Sequence, residues 1–437
     1  MPPSDNSLNA KNTSENHFQK YGYGLRIGFA LSTLEALRAL FSHYMTIQRL
    51  GGVRLDVIML FFDISRAHFH PYIQRKLFME LPAEDACEGY VGKLDRTMYG
   101  TREASSAFEM FFNEAAVALR LIGTGPGDEK HCKILNRLVS LEVSNGIRQL
   151  TYVVDPLHVD LLIRGMGFEK GWAKAVATPA ERKDANCNTE PLLQEVVTSF
   201  RSGAMRLNFI GADMPHLQLS ANVSARGMST PTSVDLLVLK RAVRYLVSEL
   251  RIVQVFKEQE RVTTLDADAD SNWTHNPINR KSISCLHLKR GAHMLRASVA
   301  TQTVQALSSG KAEFLASVKA AAALLGLRAV CLDLGIDIKL IILGSDSSAA
   351  GGILGRIGLG KIRHLDTSLL WVQYYVQQKL IRLKKLDGKF NSADLGTKEL
   401  NSVDMWKCLA MLNFEKRDGR HPLALATNLD EKLEEET

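Results

Sequence analysis

Between residues 263 and 398 four carboxylates stand where the chain changes from one element to another, and that placement constrains the fold more than any other feature. Asp270 ends a strand-like run, Leu265-Asp266-Ala267-Asp268-Ala269-Asp270, and is followed by Ser271-Asn272-Trp273. Glu313 follows Ala306-Leu307-Ser308-Ser309 at the start of a long Ala/Leu helix. Asp346 comes after the apolar run Leu340-Ile341-Ile342-Leu343 and before Ser347-Ser348-Ala349-Ala350. Asp394 lies in Asn391-Ser392-Ala393-Asp394-Leu395, at a predicted helix start. Carboxylates that end two strands and start two helices can converge on one pocket and hold two divalent ions. Such a pair of ions can clamp the attacking water and the leaving oxygen of a phosphodiester.

The hydrophobic pattern around these residues predicts a strand to Asp270, strands near 282–288 and 293–300, and a helix over 309–327. A strand over 338–345, a short helix, a longer helix from about His364, a strand over 380–386 and a final helix from Asp394 follow. The fold class is α/β (α+β), a mixed sheet with helices packed on it.

The same segments resemble the ribonuclease H domain of copia-type LTR retrotransposon polyproteins. That family carries Thr-Asp-Ser-Asp-Trp, Ala-Leu-Ser-Ser-x-Glu-Ala-Glu-Tyr, Thr-Asp-Ser at a strand end, and Asn-Pro-Ala-Asp-Leu-x-Thr-Lys, and all four fall here in order. A lone Asp at a strand end reads first as a turn or cap residue, and a Glu one turn into a helix as favoured by the dipole. Order and context outweigh those readings here. The resemblance implies that Asp270, Glu313, Asp346 and Asp394 are catalytic and hold two Mg²⁺ (or Mn²⁺) ions. The implied reaction is hydrolysis of the RNA strand of an RNA–DNA hybrid.

The N-terminal half resembles the reverse transcriptase of the same family. The buried-strand run Val57-Ile58-Met59-Leu60-Phe61-Phe62 leads into Asp63, which matches the first metal-binding Asp of the palm. Tyr99-Gly100-Thr101-Arg102-Glu103-Ala104 and Phe108 match the segment after it. The Asp-Asp hairpin that completes a polymerase site has no counterpart: the chain passes from Asn113-Glu114-Ala115 almost directly to Gly125-Pro126-Gly127. Tyr152-Val153-Val154-Asp155 imitates it with a single carboxylate followed by Pro156. It fits better the family's downstream Tyr-x-x-Asp-Pro-x-His segment, ending in His158. Asp63 is therefore read as vestigial and polymerase activity as lost.

The resemblance divides the chain into an N-terminus expected to be disordered (1–23), a truncated reverse-transcriptase region (24–175), a connection region (176–260), the ribonuclease H-like domain (261–415) and an acidic tail (416–437). A helix is expected from Leu34, with Ser32 or Thr33 as caps. In the connection region Leu239-Lys240-Arg241-Ala242-Val243-Arg244-Tyr245-Leu246 predicts an amphipathic helix, whose basic side reads as a solvated face or one that tracks phosphates.

Composition adds little: 46% hydrophobic and 23% charged residues suit a soluble globular chain, and a net charge of +7 is weakly consistent with a polyanionic partner. Six scattered cysteines without a CxxC pair indicate neither a zinc site nor a disulfide framework. No apolar run reaches the ~20 residues of a membrane span, because Lys319 and Arg328 interrupt the longest. No membrane partner is expected, and the location is read as intracellular, cytoplasmic or nuclear. The implied partners are an RNA–DNA hybrid and other parts of the retroelement polyprotein; nothing sets an oligomeric state. Lys379, Arg382, Lys384 and Lys385 are candidates for contacts to hybrid phosphates.

The sequence departs from the family in several places. Lys311 replaces a Glu two residues before Glu313, about 200° around the helix, and should point away from the pocket. Asn272 replaces an Asp near Asp270. Ser284-Cys285-Leu286 stands where the family has Ser-Gly-Gly, and a turn with positive φ there would be strained. Lys389-Phe390 precede Asn391, where cellular ribonucleases H carry a mobile-loop His. His364 reads as structural, and so do His68 and His70. Gly355-Arg356-Ile357-Gly358-Leu359-Gly360-Lys361 nearly matches a phosphate loop, but Ile362 replaces the metal-binding hydroxyl, so a glycine-rich turn is the better account. The competing expectation is a non-catalytic relic that at most binds nucleic acid.

Overall fold

The computed structural model describes residues 34–50, 53–55, 59–61, 72–79, 92–96, 120–123, 128–168, 174–181, 190–248, 251–276, 278–360 and 365–424. The chain forms two compact units, one of Met1–Ile27 with Ile58–Ile122, the other of Gly28–Val57 with Gly123–Thr437. In the first unit Met59–Phe61 pairs with Arg120–Ile122, and Tyr72–Met79 with Gly92–Arg96, both antiparallel. Asp63, His68, His70, segment 99–104 and Phe108 lie outside the described residues, as do 1–33, Lys361, Ile362 and His364.

The second unit carries two five-stranded sheets. The first comprises β1 (His131–Ile134), β2 (Arg137–Ser144), β3 (Ile147–Val154), β4 (Ile252–Lys257) and a last strand, Phe414–Lys416, in the order β1-β2-β3-β4-last, all antiparallel. Tyr152 to Val154 end the second strand of the β2–β3 hairpin. β3 ends at Val154, and the Asp155 carboxylate accepts the Leu157 N–H, capping helix α1 (Pro156–Gly165), and the Lys133 ammonium at 2.5 Å. Helices Gln194–Gly211, Gln218–Arg226 and Ser233–Ser248 share a core with α1, built on Val154, Leu162, Phe200, Leu207, Ile210, Leu239, Val243 and Leu246.

The basic side of Ser233–Ser248 has local partners. Arg241 pairs with Glu181, and the Arg244 Nε donates to the Lys174 carbonyl at 2.7 Å, so this side fastens segment 174–181 to the helix. A buried ionic knot ties Leu34–Tyr44 to the first sheet. The Asp213 carboxylate accepts Arg38 at 2.8 Å, Arg137 at 2.8 Å and the Tyr152 hydroxyl at 2.6 Å.

The second sheet comprises β5 (Thr264–Asn272), β6 (Ile283–Arg290), β7 (His293–Thr301), β8 (Leu340–Ser345) and β9 (Ile381–Lys385), in the order β7-β6-β5-β8-β9. β7, β6 and β5 are antiparallel; β5, β8 and β9 are parallel. Strand alternation sends Leu265, Ala267 and Ala269 to one face of β5 and Asp266, Asp268 and Asp270 to the other. Helix α2 (Ser309–Asp333) lies along this sheet. The Ser308 hydroxyl caps it by accepting the Lys311 N–H, and Ala312, Phe314, Ala316, Ala320 and Leu324 are buried. Contrary to the sequence expectation, α2 is long and apolar enough to cross a membrane by length and composition, two interior cations notwithstanding. Its packing accounts for that composition: sheet, helix Leu34–Tyr44 and α3 (Ser348–Leu354) flank it, so it is apolar on more than one side.

Three local expectations are corrected. β5 runs to Asn272, so Asp270 lies inside the strand. The helix expected from His364 is a 3₁₀ turn, Thr367–Leu370, followed by Trp371–Gln377. No α-helix starts at Asp394: Ser392–Gly396 is a 3₁₀ turn capped by Asn391, and the helix begins at Ser402, where Asn401 accepts the Asp404 N–H at 2.9 Å. Two caps in ten residues split what pattern alone reads as one helix.

Ser284, Cys285 and Leu286 form no turn. They are buried in the middle of β6 and none has a positive φ, so the expected strain is absent. Gly355-to-Gly360 is a turn held by Gln373, whose amide meets the Ile353 and Gly358 carbonyls and the Gly358 N–H.

Candidate metal centre

The parallel pairing of β5 with β8 builds the centre. Ala269 stands opposite Ser345, so the next residue on each strand, Asp270 and Asp346, emerges at the same end of the sheet. Glu313, one turn into α2, reaches the same point, and its Oε1 accepts the Ser271 N–H at 3.3 Å. One carboxylate oxygen from each of Asp270, Glu313 and Asp346 lies within 4.8 Å of the others. Three oxygens bound to one Mg²⁺ stand about 3.0 to 4.2 Å apart, given ligand distances near 2.1 Å, so the three must draw together to share an ion.

Crowding is felt in their protonation. Burial, then the charges of Asp270 and Asp346, push Glu313 up to about 8 against the pull of the Ser271 N–H. Burial pushes Asp270 up to about 6, opposed by Lys398 and Thr397 and aided by Asp394 and Asp346. The Glu313 Oε2 is buried and has no hydrogen-bond partner. An unpaired buried oxygen among three carboxylates is the donor set of a hard cation. The residues fit a divalent ion.

Asp394 stands apart from that trio. Its Oδ1 accepts the Lys398 ammonium at 2.6 Å. Burial raises its carboxyl, with Lys398 opposing and Asp346 assisting, so it lies within electrostatic reach of the cluster.

The segment carrying Asp394 is sewn to β5 by side chains that single-residue reasoning left out. The Thr397 hydroxyl donates to Asp270 Oδ2. The Asn272 amide donates to the Thr397 carbonyl at 2.9 Å, which gives the Asn at this position a fastening role. The Asn391 amide meets the Ala269 carbonyl at 3.3 Å, and the Ser392 hydroxyl meets Asp268 Oδ2 at 2.7 Å, alongside Lys289 at 2.5 Å. The signal was present in the sequence as the Asn391-to-Lys398 motif.

The four basic candidates are all exposed but do not form one patch. Arg382 and Lys384 alternate onto one face of β9. Lys384 lines a cavity of about 220 Å³ with Asp266, Asp268, Lys289, Ile342 and Gly344, beside the acidic cluster and not at it. Lys385 faces the other way, donating to the Asp346 carbonyl and to the Ser348 hydroxyl at 2.8 Å. Lys379 sits in the turn before β9 with φ 57°.

No family model and no curated protein matches the chain. Solved structures similar over part of it include two ribonucleases H. A ribonuclease H1 in complex with an RNA/DNA hybrid aligns with 29% of this chain and 88% of its own, at 11% identity and TM-score 0.21. The N-terminal ribonuclease H domain of a Mycobacterium tuberculosis protein, solved as a fusion with maltose-binding protein, aligns with 34% of this chain and 97% of its own, at 17% identity and TM-score 0.23. The geometry of the acidic cluster carries the functional reading.

Proposed function

We propose that the second unit hydrolyses the RNA strand of an RNA–DNA hybrid with divalent ions held by Asp270, Glu313, Asp346 and Asp394, and that the chain derives from a copia-type Pol polyprotein. The observation that carries this reading is the convergence of Asp270, Glu313 and Asp346 around the unpartnered Glu313 Oε2. The trio takes one Mg²⁺ or Mn²⁺, and a second draws on Asp394. Such ions supply positive charge for the attacking water and the departing oxygen of a phosphodiester.

The chain's own residues set the stage for that chemistry. Thr397 fixes the rotamer of Asp270, and the Ser271 N–H orients Glu313. Lys385 ties down the Asp346 carbonyl where β8 ends. Lys379, Arg382 and Lys384 remain available for hybrid phosphates, each as a charge and not as a sequence reader.

Polymerase activity is not part of the proposal. Asp155, at the one site that imitates an Asp-Asp hairpin, is committed to a helix cap and to Lys133. A Mg²⁺-dependent primer extension abolished by Asp63→Asn would overturn that exclusion.

The test of the main reading is cleavage of a labelled RNA–DNA hybrid by the full chain in Mg²⁺. Asp346→Asn and duplex DNA serve as controls. The expected result is cutting of the RNA strand alone, lost in Asp346→Asn. A folded chain that binds the hybrid without cutting it would be the non-catalytic relic.

A further inference from the structure

We propose that the Lys398 ammonium occupies the place of the second cation in the free protein, so that the centre takes a single divalent ion until Lys398 is drawn off Asp394. The inference rests on the metal-centre reading above.

Lys398 is tightly placed. Its backbone N–H donates to the Asp394 carbonyl at 3.0 Å, closing a turn that carries its side chain back over Asp394. Its neighbour Thr397 is fixed from two directions, by its hydroxyl on Asp270 and by its carbonyl under Asn272. Hydrogen bonds thus hold the segment on which the Lys398 side chain is mounted. That side chain is 46% exposed while Asp394 is 17% exposed, so the ammonium has an open route to solvent and the carboxylate does not.

Charge counting gives the consequence. Once the incoming ion has displaced the protons of Glu313 and Asp270, four ionised carboxylates and one ammonium amount to three negative charges before the ion's own charge is counted. One divalent ion on Asp270, Glu313 and Asp346 reduces that to one. A second divalent ion at Asp394 would stand beside the ammonium and make the centre net positive, a like-charge contact at short range. An anion that pairs with Lys398 removes the conflict. The phosphate of a bound nucleic acid strand is such an anion, and a flexible ammonium is suited to it. Lys398 then acts as a positioning residue that couples loading of the second ion to the arrival of a phosphodiester.

The test is calorimetric titration of Mn²⁺ into the full chain without nucleic acid, comparing the unsubstituted protein with Lys398→Met, Lys398→Arg and Asp270→Asn. Thermal melting of each confirms that it is folded. The expected result is one ion for the unsubstituted protein and for Lys398→Arg, which keeps the charge. Lys398→Met should take a second ion at least about tenfold more tightly than the unsubstituted chain. A lysine that only braces the turn would, on removal, lower the melting temperature without adding an ion, and that result would overturn the inference. So would two ions in the unsubstituted protein with Lys398→Met unchanged, which would leave the metal-centre reading intact. Unaltered Mn²⁺ binding in Asp270→Asn would sink the metal-centre reading itself, and this inference with it.

Discussion

Gly396 lies against Cys285 so closely that a Cβ on the glycine would stand 2.6 Å from the cysteine Sγ, and it would also collide with Val299. The contact seats the 3₁₀ turn that carries Asp394 onto β6, one strand away from Asp270. Gly396→Ala should therefore cost about 1–3 kcal/mol by overpacking, seen as a lower midpoint in urea unfolding. Because the two residues touch, Gly396→Ala and Cys285→Ala together should cost less than the sum of the single changes, by more than about 0.5 kcal/mol. Strict additivity would show that the turn sits elsewhere in solution.

Glu313 titrates near 8 in the folded chain, where an unperturbed Glu is near 4.5. A carboxyl raised in this way contributes stability that is full below the unfolded value and is lost as pH climbs towards the folded one, at up to ~1.4 kcal/mol per unit. With a chelator present, urea stability should fall between pH 6.5 and 8, above the range in which the buried histidines act in the opposite sense. Glu313→Gln should remove most of that slope and be the more stable protein at pH 8.

Metal should reverse the ranking. An ion that binds only the folded state at a hundred times its Kd stabilises by about 2.7 kcal/mol. Mg²⁺ should raise the melting temperature of the unsubstituted chain, more at pH 8 than at pH 6, because protons compete for Glu313 and Asp270. Asp346→Asn should lose the rise. An equal rise in that variant would place the ion elsewhere.

Three buried histidines act in the opposite direction at low pH. Burial lowers His216 to about 3; burial also lowers His287 and His293 to about 4. Each stays neutral when folded, so its contribution is full above pH 6.5 and is lost as pH falls from 6.5 towards the folded value. Both ring nitrogens of His216 lack partners, and its ring meets Tyr245 edge-on at 5.5 Å. His216→Phe should keep the ring contact, leave stability at pH 7 undiminished and make the acid-side fall shallower. A steeper fall would mean that the imidazole has a partner in solution.

Asp213 balances two buried guanidiniums and the Tyr152 hydroxyl. Asp213→Ala strands both positive charges away from water and should cost about 3–5 kcal/mol. A loss under ~1 kcal/mol in urea unfolding would indicate that water reaches the knot.

What the sequence alone determined is local. Alternation along 264–272 put Asp266, Asp268 and Asp270 on one face. Apolar runs marked β8 and α2, and Ser308, Ser347, Asn391 and Asn401 cap the turns they precede, because a cap needs only its own next three residues. The break between the Asp394 turn and the helix at Ser402 was present in the same chemistry but masked by a continuous helical pattern. What tertiary structure decided is every relation across the chain. The register Ala269 opposite Ser345 brings Asp270 beside Asp346 across more than seventy residues, and no local pattern encodes it. The placing of Ser284 to Leu286 inside a strand followed from pairing on both sides, which gives the backbone its extended form whatever turn the motif suggests. The division of the four acids into a trio and an Asp394–Lys398 pair came from where the 391–398 segment is tied down. Charges sort themselves by distance, and distance between remote residues is set only when the sheet closes.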